Sequence, residues 1–221
     1  EELQDHTRAL EWNRRGIQVT IEADEVFPEV ECNARLNVGD NLMALARYDE
    51  AEEEFRFVEA IFREPRPEQR MDLWRYAQHM FHNYGELILL RGDPDRAMQY
   101  ADECLAIAEP ANHRKNVVKG RRLRGEVFLA TEKLEKAETE LTCALEIAQD
   151  VGNPPQLWKT WAALGELRKK QDRLDDSKAC YREALSVIER VAASLDEDEH
   201  ELRNTFLDSN HVRAIRALAS P

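Results

Sequence analysis

Residues 158–184 read WKTWAALGELRKKQDRLDDSKACYREA and hold two helical patterns joined by a short polar turn at 171–175. Gly165 lies in the middle of the first pattern, although a glycine in a helix interior costs about 1 kcal/mol relative to alanine. We therefore expect a compensating contact, because the absence of a side chain lets a second helix approach closely. The segment predicts an antiparallel helix pair that crosses near Gly165.

The same pattern occurs four times along the chain. Its glycines are Gly39, Gly85, Gly125 and Gly165, at intervals of 46, 40 and 40 residues. Each glycine is followed twelve residues later by a small residue: Ala51, Ala97, Ala137 and Ser177. Four positions further on come Phe55, Ala101, Leu141 and Tyr181. A register kept through four units predicts stacked helix pairs.

Residues between the patterns mark helix ends. Asp93 is a good N-cap before Pro94, and Gly152 and Asn112 are expected to end the helices that precede them. We therefore predict an all-α fold. The predicted helices span about 5–22, 29–46, 48–62, 68–91, 94–108, 113–131, 134–150, 155–171, 174–195, 198–208 and 211–219.

These helices divide into an array and a cap. The array is expected to occupy residues 1–195, with a partial first repeat at 1–22 and full repeats at about 29–62, 68–108, 113–150 and 155–195. Residues 196–221 are predicted to form capping helices, because a repeat array must close its apolar end. The chain starts at Glu1 and lacks the first half of a repeat, so we expect it to be a piece of a longer protein.

Composition argues against several functions. The formal net charge of -13 repels nucleic-acid phosphates and anionic membrane surfaces. No apolar run approaches the roughly 20 residues of a membrane span, and the N-terminus lacks the form of a signal peptide. Four isolated cysteines, with no CxxC spacing, indicate small buried residues. We expect a cytoplasmic protein with no metal or cofactor that contacts neither nucleic acid nor membrane.

The fourth unit resembles a known family. Trp161, Leu164, Gly165, Tyr181 and Ala184 match the tetratricopeptide repeat signature at its expected offsets. The resemblance implies a right-handed superhelix of antiparallel helix pairs, an α-solenoid. Four segments, at 74–87, 100–109, 114–126 and 152–167, resemble the C-terminal repeat region of large bacterial signalling proteins that contain an AAA-type ATPase and a cyclase-like or kinase-like sensor. This second resemblance implies a parent protein.

In this family the first helix of each pair lines a concave groove. The resemblance therefore implies a protein- or peptide-binding scaffold with no enzymatic activity. The basic side chains of this groove would bind carboxylates of the partner, and Arg122 would bind one in bidentate geometry. Alternatively, neighbouring helices pair these charges among themselves. The predicted groove residues are His79, His82, Glu86, Lys119, Arg122, Glu126, Lys159 and Glu166.

Other interpretations stay open. One is a sensor whose groove holds a small ligand or peptide and regulates an attached ATPase or cyclase. Another is an enzyme with a metal at His79, His82 and Glu86, which share one helical face. The basic run at 114–124 would meet an anionic partner or form a solvated face. The truncated N-terminal edge leaves an apolar stripe that favours self-association.

Overall fold

A computed structural model describes residues 5–23, 28–64 and 73–220. Within these ranges every regular element is a helix, so the predicted all-α class is confirmed. The chain divides into two compact units, His6–Ile107 and Ala108–Pro221. The predicted boundaries of the array, its repeats and its cap remain predictions, and residues 1–4 and 65–72 lie outside the described ranges.

The described part of the first unit contains five helices. They are α1 (His6–Glu22), α2 (Pro28–Ala44), α3 (Tyr48–Arg63), α4 (Leu73–Leu90) and α5 (Pro94–Ala108). Helix α2 packs against α1, α3 and α4. The rings of Phe55 on α3 and Tyr84 on α4 lie 5.6 Å apart, and Tyr84 lies 5.0 Å from Tyr100 on α5. Aromatic packing thus links three successive helices.

The described part of the second unit contains six α-helices. They are α6 (Arg114–Ala130), α7 (Leu134–Val151), α8 (Pro154–Lys170), α9 (Leu174–Ala193), α10 (His200–Leu207) and α11 (Asn210–Ala219). Helices α6 and α7 pack against each other, as do α8 and α9. Phe206, Val212 and Ile215 of the last two helices join the apolar cluster around α9. The described helix ends lie within a few residues of the predicted ones.

Four turns connect the helix pairs with one backbone geometry. The seventh residue after each repeat glycine has a positive φ: 58° at Ala46, 83° at Gly92, 58° at Glu132 and 59° at Asp172. The amide one position later donates to the carbonyl five residues before it, as in Arg173 to Arg168 at 2.9 Å. This is the Schellman arrangement, which satisfies the last carbonyls of a helix. The four turns therefore have the same backbone hydrogen bond at the same distance from the repeat glycine.

Gly39, Gly125 and Gly165 lie where helices cross, as predicted. A Cβ atom on Gly39 would overlap the Phe55 ring, and one on Gly165 would lie 2.8 Å from the Tyr181 ring. At Gly125 the same atom would lie 2.6 Å from Leu141. The close neighbour is thus the side chain sixteen residues after the glycine, because that side chain fills the space left by the missing Cβ.

The small residue twelve positions after the glycine lies beside the same crossing. Ser177 donates its hydroxyl to the Gly165 carbonyl at 2.8 Å. At the equivalent position Ala137 is fully buried, and its carbonyl oxygen would lie 3.6 Å from a Cβ on Gly125. A larger side chain here would separate the two helices.

Helix caps match the sequence in part. The Arg96 amide donates to Asp93 Oδ1 at 3.0 Å, so the predicted N-cap is confirmed. Asn112 and Gly152, at φ 52° and 68°, follow α5 and α7 as expected. Asn153 additionally caps α8 by accepting from the Gln156 amide.

Candidate partner-binding surface

The predicted basic residues of α6 are buried. Only 1 % of Arg122 is exposed, and Lys119 is buried as well. Arg122 Nη1 donates to Gln156 Oε1 of α8 at 2.7 Å, and its Nε lies 3.8 Å from Glu126 Oε1. Arg122 therefore links α6 to α8 and is held by its own neighbours.

The predicted residues of α8 are more accessible. Lys159 and Glu166 are both half-buried. The Lys159 ammonium lies 5.7 Å from the centre of the Trp158 ring, within the range of a cation–π contact. Glu166 accepts a hydrogen bond from the Tyr181 hydroxyl at 2.5 Å. Lys119 and Arg122 are buried, so Lys159 is the most exposed cation among the predicted groove residues of the second unit.

Burial changes the chemistry of Tyr181. The loss of water around the ring and the bond to Glu166 raise the pKa of its hydroxyl well above the ordinary value. The phenol therefore stays protonated even in alkaline solution, and its hydrogen bond holds the Glu166 carboxylate against α9.

Helix α4 carries the three predicted residues of the first unit. His82 is 2 % exposed, whereas His79 and Glu86 are half-buried. His82 Nδ1 lies 2.8 Å from Asn83 Oδ1, and its Nε2 lies 3.3 Å from Glu86 Oε1. The two ring nitrogens of His82 therefore have polar neighbours on their own helix.

A metal site at His79, His82 and Glu86 finds no support in this geometry. Across residues 5–23, 28–64 and 73–220, no three His, Cys, Asp or Glu side chains are grouped in a way that would hold a metal ion. The four cysteines are free thiols, and burial raises the pKa of the Cys32 thiol to about 12.

Ion pairs neutralise much of the basic run at 114–124. Arg121 lies 2.6 Å from Glu109 and 3.1 Å from Glu140, and Arg124 lies 3.3 Å from Glu140. Arg114 pairs with Asp150 at 2.6 Å. These arginines are therefore paired with acidic residues, and Arg121 and Arg124 are half-buried and do not form the fully solvated face that was one of the two expectations for this run.

The acidic partners of these arginines were not predicted from the sequence. Glu140 follows Arg121 by nineteen residues, and Glu54 follows Arg35 by the same interval and pairs with it at 2.8 Å. That shared interval was a usable signal for the ion pairs. Gln156 had no comparable signal, since its contact with Arg122 joins different helix pairs.

Helix α1 exposes large apolar side chains. Trp12 is 62 % exposed and Val19 is 66 % exposed, and Ile21 is exposed to a similar extent. Leu10 and Ile17 lie on the buried face instead. The described helices include none with the length and apolar content required to cross a membrane.

Comparisons with known proteins agree with the fold. A tetratricopeptide repeat model matches residues 159–190, which cover most of α8 and α9. The crystal structure of BtubC (BKLC) from P. vanneervenii is similar with a TM-score of 0.60 and 19% identity, over 97% of this chain and 85% of that one. A search of curated proteins finds no significant match.

Repeat proteins from a second organism show the same likeness. A P. anserina protein described as a putative kinesin light chain with nearly identical TPR-like repeats has a TM-score of 0.54 and 13% identity, over 87% of this chain and 92% of that one. A single-substitution variant of that protein has a TM-score of 0.53 and 14% identity, over 88% and 99% of the two chains. At these identities the likeness concerns the fold alone. The chain is therefore an all-helical protein with a fold of the tetratricopeptide repeat type.

Proposed function

We propose that this chain is a non-enzymatic scaffold that binds a protein or peptide partner. The observation that carries the proposal is the tetratricopeptide repeat type of fold, with its family match at residues 159–190. Proteins with such repeats generally bind other proteins, because stacked helix pairs present extended surfaces.

Within the second unit, we assign partner contact to the side of α8 that carries Lys159 and Glu166. Lys159 supplies a half-buried ammonium, and Glu166 supplies a carboxylate positioned by Tyr181. The buried Arg122 has a different role from the one expected of a groove residue: it positions α8 through Gln156 and does not itself contact the partner. Glu126 lies beside Arg122 on α6 and supports that link, and the buried Lys119 is likewise not assigned to partner contact. In the first unit, the half-buried His79 and Glu86 form the corresponding candidate surface on α4, and the buried His82 lies beside Glu86 without contacting the partner.

The test begins with affinity capture on the purified chain and identification of the bound protein by mass spectrometry. The partner is then purified and titrated against the wild type and Lys159→Glu. We expect binding to weaken about tenfold or more, since reversing one contact charge costs more than about 1 kcal/mol.

Lys170→Glu provides the matched control. Lys170 is an exposed residue of the same helix that lies outside the predicted groove positions, and its reversal changes the net charge equally. If Lys159→Glu keeps full affinity, or if both variants lose it equally, the assignment of this face to the partner is wrong.

We also propose that the chain serves as a regulatory module of a larger cytoplasmic bacterial signalling protein. The support is the resemblance of its four segments, at 74–87, 100–109, 114–126 and 152–167, to the repeat region of such proteins. Sequencing the whole reading frame tests this directly. An ATPase domain with a cyclase-like or kinase-like sensor on the same polypeptide is expected, and their absence would refute the proposal.

Self-association through α1 is a further part of the proposal. Trp12 and Val19 are two helical turns apart on the exposed face, and contiguous apolar surface favours burial against a partner. Sedimentation velocity should show a concentration-dependent dimer that Trp12→Gln removes. Leu174→Gln, at an equally exposed apolar residue of α9, should leave the dimer intact.

A further inference from the structure

A surface pocket lies at one end of the second unit, between the end of α7, the start of α8 and the last turns of α9. Its volume is about 390 Å³. Its lining includes Gln149, Pro154, Leu157, Val187, Arg190 and Val191. This pocket contains none of the residues assigned above to partner contact.

The walls of the pocket are aliphatic. Val187 is buried in the cluster around α9, and Leu157 and Val191 pack against the same cluster while remaining partly exposed. These branched side chains belong to two different helices that pack against each other. The pocket is therefore an open depression with a largely apolar wall, and its volume lies at the lower end of the range of ligand sites.

A single charged residue lines the pocket. Among the described residues that line it, Arg190 is the charged one and none is acidic, although the chain carries 44 Asp and Glu. Arg190 Nη1 donates to the neutral Ser186 hydroxyl at 2.9 Å. The guanidinium has five N–H donors, and this bond uses one of them. The pocket therefore combines aliphatic side chains with one positively charged side chain.

The polar groups of the neighbouring helix ends are engaged. Pro154 has no amide hydrogen, and the Gln156 amide donates to Asn153 at the start of α8. At the end of α9, the Ser194 hydroxyl donates to the Val191 carbonyl at 2.8 Å, and Arg203 Nε donates to the Ala192 carbonyl at 2.9 Å. The side chains of the lining that can donate to an anion are therefore Arg190 and Gln149, and Arg190 is the one that carries a charge.

We propose that this pocket binds the C-terminal residue of a peptide that ends in Leu, Ile or Val. The aliphatic side chain packs against Leu157, Val187 and Val191, and the terminal carboxylate pairs with Arg190. A planar guanidinium binds a carboxylate through two parallel N–H bonds, which fixes the direction of the peptide. The combination of one cation and a branched aliphatic wall selects this chemistry over a phosphate or a purely apolar segment.

The probe is the peptide N-acetyl-Ala-Ala-Leu with a free C-terminus, titrated into the full chain and followed by ¹H–¹⁵N NMR. We expect saturable shifts at the amides of Leu157, Val187 and Val191. The same peptide with an amidated C-terminus should bind about tenfold more weakly or worse, because it cannot form a charge-assisted pair with Arg190.

Arg190→Gln should cause the same loss for the free-acid peptide. Arg182→Gln is the matched control, because Arg182 is exposed on the same helix and does not line the pocket. Arg190→Lys keeps the charge but loses the bidentate geometry, so it should bind with intermediate affinity. Equal binding of acid and amide, shifts that map outside the pocket, or no saturable shift would each overturn the proposal.

Two further measurements distinguish a peptide in this pocket from a small carboxylate and from a peptide bound on α8. N-acetyl-leucine should bind more weakly than the tripeptide, and equal binding would replace the peptide with a small free carboxylate. Lys159→Glu should leave tripeptide binding unchanged. Loss of the tripeptide in Arg190→Gln with retention in Lys159→Glu distinguishes this pocket from the proposed contact surface on α8.

Discussion

The helix pairs α6–α7 and α8–α9 have the same backbone arrangement but pack different kinds of side chain between their helices. Both cross at a glycine, and both connect their helices through a turn with φ near 58°. The difference in chemistry is clearest at three positions, which we call the interface trio: four and one residues before the glycine and fifteen after it. In α6–α7 the trio is Arg121, Arg124 and Glu140, joined by ion pairs. In α8–α9 it is Trp161, Leu164 and Cys180, all packed at one apolar cluster.

The helix pairs α2–α3 and α4–α5 show the same two kinds of interface, one with an ion pair and one with aromatic contacts. Arg35 and Glu54, at trio positions of the first glycine, form an ion pair at 2.8 Å. Phe81, Tyr84 and Tyr100, the trio of the second glycine, are in aromatic contact. Val38, the third trio position of the first glycine, is buried and apolar, so the arginine and the glutamate change together while the middle position varies. A charge in a half-buried interface requires an opposite charge beside it. The tetratricopeptide model matches the pair with the apolar set.

The strongest test of this comparison removes one member of the ionic trio. Glu140→Leu removes the carboxylate that pairs with both Arg121 and Arg124 in a half-buried interface, while Arg121 keeps its ion pair with Glu109. We expect a loss of about 2 kcal/mol in the free energy of unfolding. Urea unfolding followed by circular dichroism measures this loss. Arg121→Trp, Arg124→Leu and Glu140→Cys together transplant the apolar trio and should restore most of the stability. If the single variant is as stable as the wild type, the trio is not a unit.

A second test concerns the shared glycine. Gly165→Ala places a Cβ 2.8 Å from the Tyr181 ring, which is buried and bonded to Glu166. Overpacking costs about 1–3 kcal/mol, and the gain in helix propensity offsets about 1 kcal/mol of it. We expect a lower urea midpoint. Gly16→Ala is the control, because its Cβ meets Ala34 at an ordinary 3.9 Å and should raise the midpoint.

The turns allow a third test. Glu132 and Asp172 are exposed and have a backbone conformation that favours glycine. Glu132→Gly and Asp172→Gly should each stabilise the chain by about 1 kcal/mol, whereas Gly92→Ala should destabilise it by a similar amount. Thermal unfolding measures the three variants. Destabilisation by both glycines would show that the shared turn geometry is not a source of strain.

The smallest expected effect comes from the hydroxyl of Tyr181. Leu141, at the equivalent position sixteen residues after Gly125, has no such group. A folded-state pKa above the unfolded value of about 10 means that the contribution of Tyr181 to stability is complete below about pH 10 and declines as the pH rises further. Tyr181→Phe should therefore be about 0.5–1 kcal/mol less stable than the wild type at about pH 7. The difference should shrink at about pH 10.5, above the unfolded pKa. Urea midpoints at the two pH values test this, with the exposed Tyr48→Phe as control.

The helices were predictable because their signals are local. Asp93, Asn112 and Gly152 act on the backbone within a few residues, so the sequence could place the helix ends near them. The candidate surface was harder to predict. Arg122 and Lys119 had the spacing of groove residues, yet both side chains are buried, and a helical offset alone does not say whether a neighbouring helix covers a position. No local pattern in the sequence predicted the pocket at Arg190, because the residues that line it come from three helices.

For this protein, the sequence alone determined the helical class, the positions of the crossing glycines and the repeat interval, because periodicity and glycine placement act through short-range sterics. Tertiary structure decided which charges are paired and which cations remain near solvent. Glu140 meets Arg121, and Gln156 meets Arg122, only after separate helices have packed. The pairing of a side chain depends on what is nearest in space, and this distance is set by the packing of whole helices.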